Sequence, residues 1–386
     1  MNFDLSDEQL MIRKSVRDFA EKEIKPIAKE LDKESSFSVE ITRKMGEMGL
    51  FGMSLSPDFG GQGLDTISYI IAVEELARID SSQAATLAAH NSLGIGPISD
   101  FGNQQQKEKY LPQLCSGNAL WAFGLTEPDA GSDSRGSKTY AKRDGDYWVI
   151  NGSKIFITNA SNSLSKGVTL QVVTGEDKRG NKELSCVLID KNTPGYTQKI
   201  IHNKMPWRAS DTAILYFDDC RVPIGNTLGG VGMGSRIMLK TLDKGRLSIA
   251  AMGLGLAQGA FELGLNYAKQ RKQFGKPIAS FQVNAFKLAD MSLKIELARN
   301  LLYKACWLKD NDRPFSKESA MAKLYCSEIA KEIADASVQL HGGYGLIEDY
   351  DIERFYRDQR VLQIGEGTSE IQRLVISRLL GIKMQK

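Results

Sequence analysis

The stretch YWVINGSKIFITNA, residues 147–160, is where the hydrophobic rhythm of the chain changes from a helical period to a β period. Two short β-type runs, YWVING and KIFITNA, flank Asn151–Gly152, a dipeptide that favours a tight turn between antiparallel strands, so a hairpin is expected. Further runs of the same type follow: VTLQVV at 168–173, LSCVLID at 184–190 and TAILYF at 212–217. Together they predict a β domain over residues 119–228.

On both sides the period is that of helices. Residues 1–118 open with LSDEQL, in which Ser6 is placed to cap a helix, Gln9 to return the capping-box bond and Leu5 to staple against Leu10. Ile12, Val16, Phe19, Ala20, Ile24 and Ile27 then recur at three- and four-residue intervals, a stripe that must pack on other helices. SPDFGGQG, 56–63, reads as a connector. In residues 229–386, the runs 281–309 and 316–341 are each long enough to span a helix bundle. The expected fold is mostly α with a central β domain. Small-molecule sites favour domain junctions, so site residues should come from all three segments.

With 42% hydrophobic residues in 386, a large core is available, and a net charge of +3 without single-sign blocks argues against nucleic-acid or membrane-surface partners. Cys115, Cys186, Cys220, Cys306 and Cys326 include no CxxC pair, which suggests reduced thiols and no metal site. The acidic start does not resemble a targeting peptide, and no apolar run approaches the roughly 20 residues of a membrane helix. A cytoplasmic location is the resulting expectation.

The chemistry-bearing stretches lie at the junctions. QIGEGTSE, 363–370, sets Glu366 between Gly365 and Gly367, where lean backbone permits close approach of another body, although a solvated loop gives the same pattern. FGLTEPDAGSD, 123–133, is by itself a polar turn; QLHGGYG, 339–345, is accounted for by a helix C-cap; RKQFGKPI, 271–278, reads as a helix stop.

In this order and spacing, the four motifs resemble the acyl-CoA dehydrogenase family over essentially the whole chain. The resemblance implies an N-terminal helical domain, a middle β-barrel and a C-terminal four-helix bundle, commonly assembled as a homotetramer. It also implies bound FAD, an acyl-CoA substrate and an electron-transfer flavoprotein as acceptor. Carried over by position, Phe123, Leu125, Thr126 and Ser132 border flavin and substrate, and Phe156, Ile157 and Thr158 cover the ring, FIT departing from the more frequent Trp-Ile-Thr. Arg271, Phe274, Gln282, Gln339, Gly342 and Gly343 reach the FAD of a neighbouring subunit, while Thr368 and Glu370 contact its adenosine part. Asp243 and Arg246 match positions that hold CoA or support the active site, with an exposed helix pair as the plain alternative.

Glu366 matches the family's catalytic base, which removes the α-proton of the thioester in a dry pocket that raises its pKa; its own backbone N–H meets the thioester oxygen. Relatives that place the base elsewhere carry it before an arginine on an early C-terminal helix; this chain has Gly245 before Arg246. Gly365 stands where many straight-chain relatives have tyrosine, which implies room for a branched or alicyclic acyl group such as cyclohexane-1-carbonyl-CoA, with short straight or methyl-branched groups as competitors. Asn91 and Gly367 are further expected substrate contacts, Trp207 is a residue able to refill the pocket, and His90 is expected to pack against helix backbone. The stretch 86–98 carries no arginine to pair a distal carboxylate, which disfavours dicarboxyl substrates. An O2-using acyl-CoA oxidase and an inert acyl-CoA-binding scaffold are the rival readings.

Overall fold

The computed structural model describes residues 4–176 and 179–382. The N-terminal helices are α1 (Asp7–Phe19), α2 (Lys25–Glu34), α3 (Val39–Glu47), α4 (Thr66–Ala77), α5 (Ser81–Ala89), α6 (Gly96–Phe101) and α7 (Gln104–Cys115). α1 starts at the expected capping box: Gln9 N–H donates to Ser6 Oγ at 3.2 Å and Ser6 N–H to Gln9 Oε1 at 3.0 Å. The staple is not made tightly, for Leu10 keeps 48% of its surface exposed. Val16, Phe19, Ala20 and Ile24 are buried as the stripe requires, with Ile12 and Ile27 packed at the margin.

The strands are β1 (Leu120–Gly124), β2 (Tyr140–Asp144), β3 (Tyr147–Thr158), β4 (Ser165–Glu176), β5 (Lys182–Asp190), β6 (Tyr196–Ile200), β7 (Thr212–Pro223) and β8 (Thr227–Leu228). They form one sheet in the order β6-β7-β3-β2-β4-β5-β8, with β1 parallel to β4. Trp148, Ile150, Val168, Leu170, Val187, Ile189 and Phe217 fill its interior.

The expected turn at Asn151–Gly152 is not one. Both residues lie inside β3, where the register on β7 slips between Ile150 and Gly152, a bulge. Gly152 sits at φ +140°, and a Cβ there would meet Thr139 Oγ1 at 2.6 Å. The hairpin turn is one step earlier, at Gly145–Asp146, bracketed by the Asp144–Tyr147 pair. A glycine after asparagine serves a bulge as well as a turn, because both need a backbone conformation that a side chain resists.

The C-terminal segment consists of α8 (Gly234–Gln270), α9 (Gln282–Asp310), α10 (Ser316–His341), α11 (Ile352–Leu362) and α12 (Ser369–Leu379), with α8 and α10 packed side by side. α8 is long and apolar enough to cross a membrane by length and composition, but it is the centre of the bundle, and the apolar window is 78% buried within the protein. α4 packs on α8, so the two helical segments share one hydrophobic cluster. A smaller cluster, including Tyr110, Trp121, Cys186 and Ile237, joins α7 and the sheet to α8. The three segments therefore meet around α8, and the α11–α12 connection is laid across α8 and α10.

Candidate active site

Between α11 and the Thr368 cap of α12 the chain turns through Gln363–Gly367, with Gly365 N–H donating to Val361 O at 2.8 Å and Ser369 N–H to Gln363 O at 3.0 Å. Glu366 has φ +52° and Gly367 φ +95°. A left-handed non-glycine residue costs roughly 1–2 kcal/mol, so surrounding contacts must impose it. They do: Lys323 Nζ donates to Gly367 O at 2.7 Å, and Gln372 Nε2 donates to the same oxygen at 2.8 Å. From α10, Glu328 accepts from Gln363 Nε2 at 2.7 Å and from Ser369 Oγ at 2.6 Å, fastening both sides of the turn. Gly367, expected to clear space for a ligand, has a nearer reason: its φ, and a Cβ that would meet Gln372 Nε2 at 2.8 Å.

The Glu366 carboxylate points inward. Its Oε2 is buried and has no hydrogen-bond partner among the described residues. A Cβ at Gly245 of α8 would collide with that oxygen, so the bare helix at residue 245 is the berth of the Glu366 carboxylate. The expected complementarity is thus steric as well as chemical: this chain has space for one acid there. Burial raises the Glu366 pKa to about 7, against the opposing pull of the Lys323 and Arg246 charges. Among the described residues, the Glu366 N–H has no hydrogen-bond acceptor. A proton acceptor poised near neutrality and a free backbone donor therefore belong to one residue.

Arg246 and Asp243 are not an exposed pair. Arg246 is buried, its Nη1 donates to Asp243 Oδ1 at 2.5 Å, its Nε has no partner among the described residues, and Ser316 Oγ donates to Asp243 Oδ2 at 2.7 Å. Gly365 is open: a Cβ would meet nothing closer than Val361 O at 3.5 Å.

On the β side, Phe123 and Leu125 lead out of β1, and Thr126 O accepts from Ile155 N–H at 2.9 Å, placing the two motifs side by side. Ser132 is exposed, Ile157 is buried and Thr158 half-buried. Phe156 presents its ring to solvent, 65% exposed, from φ +61° at a second β3 bulge. The loop is anchored by Glu127, which sequence reasoning treated only as part of a polar turn. Its carboxylate accepts from Lys154 Nζ at 2.7 Å and Lys138 N–H at 2.7 Å, and also from Ser137 Oγ. Burial alone would raise its pKa, but the Lys154 charge and these donors hold it down to about 2.

At the far end of α8 the other expected cofactor residues gather. Arg271, Gly342 and Gly343 line a groove of about 460 Å³ with Tyr267, His341 and Tyr344. The Arg271 guanidinium lies over the Tyr344 ring at 5.4 Å, and a Cβ at Gly342 or Gly343 would meet nothing within 4 Å. RKQFGKPI is a small hairpin, Lys272–Gln273 against Lys276–Pro277, whose tip lifts Phe274 to 93% exposure. Gln282 and Gln339 are exposed. From Gly245 to Arg271 the helix rises roughly 39 Å at 1.5 Å per residue, so this groove and Glu366 are separate regions of one chain. Thr368 caps α12 and Glu370 is exposed beside it, next to the Glu366 region instead.

Exposed aromatics on strained backbone and an open groove with a free guanidinium fit a group offering a flat ring system and a pyrophosphate. Asn91 does not join the site: its Nδ2 donates to Leu50 O at 2.8 Å and its Oδ1 accepts from Gly52 N–H at 2.7 Å, so both ends brace a turn. His90 is packed against backbone as expected, with Nε2 2.8 Å from Leu114 O and Nδ1 accepting from Trp121 N–H at 3.1 Å; burial lowers its pKa to about 4. Trp207 docks on the helical core, and its backbone N–H donates to Asp358 Oδ1 at 2.7 Å. Lys323 was missed because a lysine in a long helical run reads as solvated, and only the fold shows it buried.

Three family models match the chain: the acyl-CoA dehydrogenase N-terminal domain over residues 6–118, its middle domain over 122–220 and its C-terminal domain over 232–381. A probable acyl-CoA dehydrogenase of Bacillus subtilis, YngJ, is 49% identical over 98% of this chain and 100% of its own length. A short-chain specific acyl-CoA dehydrogenase of Clostridium acetobutylicum is 45% identical over 98% of this chain and 99% of its own. The solved structure of butyryl-CoA dehydrogenase from Megasphaera elsdenii superposes with a TM-score of 0.95, at 41% identity, covering 99% of this chain and 100% of that one.

Proposed function

The chain belongs to the acyl-CoA dehydrogenase family, FAD-dependent oxidoreductases acting on CH–CH groups, and from that premise we propose that it converts a short or branched acyl-CoA to the 2,3-enoyl-CoA with Glu366 as base. The observation that carries this reading is the Glu366 Oε2, buried against Gly245 with no hydrogen-bond partner among the described residues. Its anion takes the α-proton of the thioester. Its own N–H, lacking an acceptor, is free to donate to the thioester oxygen as enolate character develops. When bound, FAD supplies the acceptor for the β-hydride. The Phe123–Ser132 and Phe156–Thr158 segments border the ring, Thr368 and Glu370 hold the adenosine part, and Asp243 with Arg246 supports the CoA side.

The groove at Arg271, Phe274, Gln282, Gln339, Gly342 and Gly343 serves the FAD of a second copy, since one chain holds it roughly 39 Å along α8 from Gly245. Val283, Phe286, Leu293 and Leu297 form an exposed apolar stripe on α9 that favours assembly, which we take to be a homotetramer. Five free, buried cysteines suit a reducing cytoplasm, and an electron-transfer flavoprotein is the proposed acceptor.

Relatives named for short-chain and butyryl substrates support a short acyl group. The open space at Gly365 supports tolerance of branching or an alicyclic ring. A panel of straight, branched and cyclohexane-1-carbonyl thioesters, assayed with the parent enzyme and Gly365→Tyr, tests this. The variant should fold and turn over straight chains while losing branched and alicyclic ones; unchanged selectivity would remove Gly365 from the argument.

A further inference from the structure

Glu366 is held left-handed, with an unbonded buried oxygen, by a fold that must bring it no partner yet keep it ionisable. The contacts that achieve this converge on α10. Lys323 is fully buried and, among the described residues, forms no ion pair within bonding distance and gives one hydrogen bond, 2.7 Å long, to the carbonyl of Gly367. A buried ammonium facing a carbonyl rather than a carboxylate is costly, and a nearby acid must offset it through space. The charged groups acting on Lys323 are Glu366 from the turn, Arg246 from α8, Glu328 on α10 and Glu370 from α12. Tyr69 of α4 also feels Glu366.

We propose that Lys323 is the positioning residue of the base: its ammonium fixes the Gly367 carbonyl, and so the left-handed Glu366, while its charge keeps the unbonded carboxylate ionised. A direct Lys323–Glu366 hydrogen bond would stabilise the anion too far and cover the oxygen that must take a proton. The carbonyl-mediated arrangement supplies the charge and leaves Oε2 bare. Burial lowers the Lys323 pKa to about 8 and raises that of Glu366 to about 7, so near neutrality Lys323 is mostly charged while Glu366 is divided between acid and anion. Other bonds from Glu328, Gln372 and Ser327 secure the turn to its surroundings, so it should survive loss of Lys323 as a folded element.

This rests on the reading of Glu366 as the base, and the test separates the two. In the FAD-loaded enzyme without substrate, the buried carboxyl C=O stretch of Glu366, assigned by its absence in Glu366→Gln, is titrated by infrared difference spectroscopy. In Lys323→Met and Lys323→Gln its midpoint should move up by about 1 pH unit, the smaller end for losing one close opposite charge. The acid limb of kcat/KM should move with it. Lys323→Gln retains an N–H for the Gly367 carbonyl and should keep more of kcat at high pH than Lys323→Met. Unshifted midpoints in folded variants overturn the proposal, as does an equal kcat at high pH in the two. If Lys323→Met does not fold, the midpoint in Lys323→Gln decides. A Glu366→Gln variant with normal turnover would refute the base assignment, while the carboxyl midpoints would still report whether Lys323 governs that acid.

Discussion

Glu366 has a carboxyl group whose burial raises its pKa to about 7, and that one shift governs both rate and stability. As the proposed base it acts as the anion, so kcat/KM should rise with pH through about 7 to a plateau. For stability the sign is opposite. The unfolded chain loses this proton near pH 4.3, well before the native one, so the folded state is penalised progressively from about pH 4 to 7 and by on the order of 3 kcal/mol above that. Glu366→Gln should therefore lose at least about 10²-fold in rate while melting higher than the parent at pH 8, the gap closing toward pH 5. Pairing the rate with melting curves at both pH values checks this; a variant less stable at pH 8 would mean that the carboxylate is paired. Glu366 was identifiable in the sequence because its glycines and neighbours form a motif. Gly245 as its berth and Lys323 beneath the turn were not, for those contacts join Glu366 to a residue 121 positions away and Gly367 to one 44 positions away.

At the scale of elements, periodicity located the helices and strands well, since a stripe such as Val16, Phe19 and Ile24 or a run such as VTLQVV has one way to be buried. Asn151–Gly152 was misread because local sequence does not distinguish a bulge from a turn; pairing with β7 decides it. The same limit hid the Glu127–Lys154 pair, which ties the β1–β2 loop to β3. Lys154→Met would leave a buried carboxylate without its counter-charge, and should cost about 3–5 kcal/mol in chemical denaturation and lower FAD retention. A loss within ordinary surface values would show that the loop is anchored otherwise.

For the whole molecule, the order helical, β, helical was legible, and so was the need for a site at the junctions; in the proposed arrangement the second half of the site comes from another copy, which one chain cannot display. The Arg271 groove lies far along α8 from Glu366, and the nearby Phe274, edge-on to Phe281, still keeps 93% of its surface exposed. Arg271→Ala should lower the flavin bound per chain while light scattering gives the same assembly state as the parent; full flavin content would place the pyrophosphate elsewhere. The central claim, oxidation of an acyl thioester by a flavin beside Glu366, is tested most directly by anaerobic titration of the purified, FAD-loaded protein with short and branched acyl-CoAs, followed in the visible spectrum. The account predicts a yellow protein whose flavin bleaches with at least one of them, and far more slowly in Glu366→Gln. A flavin-loaded protein that no thioester bleaches would contradict it.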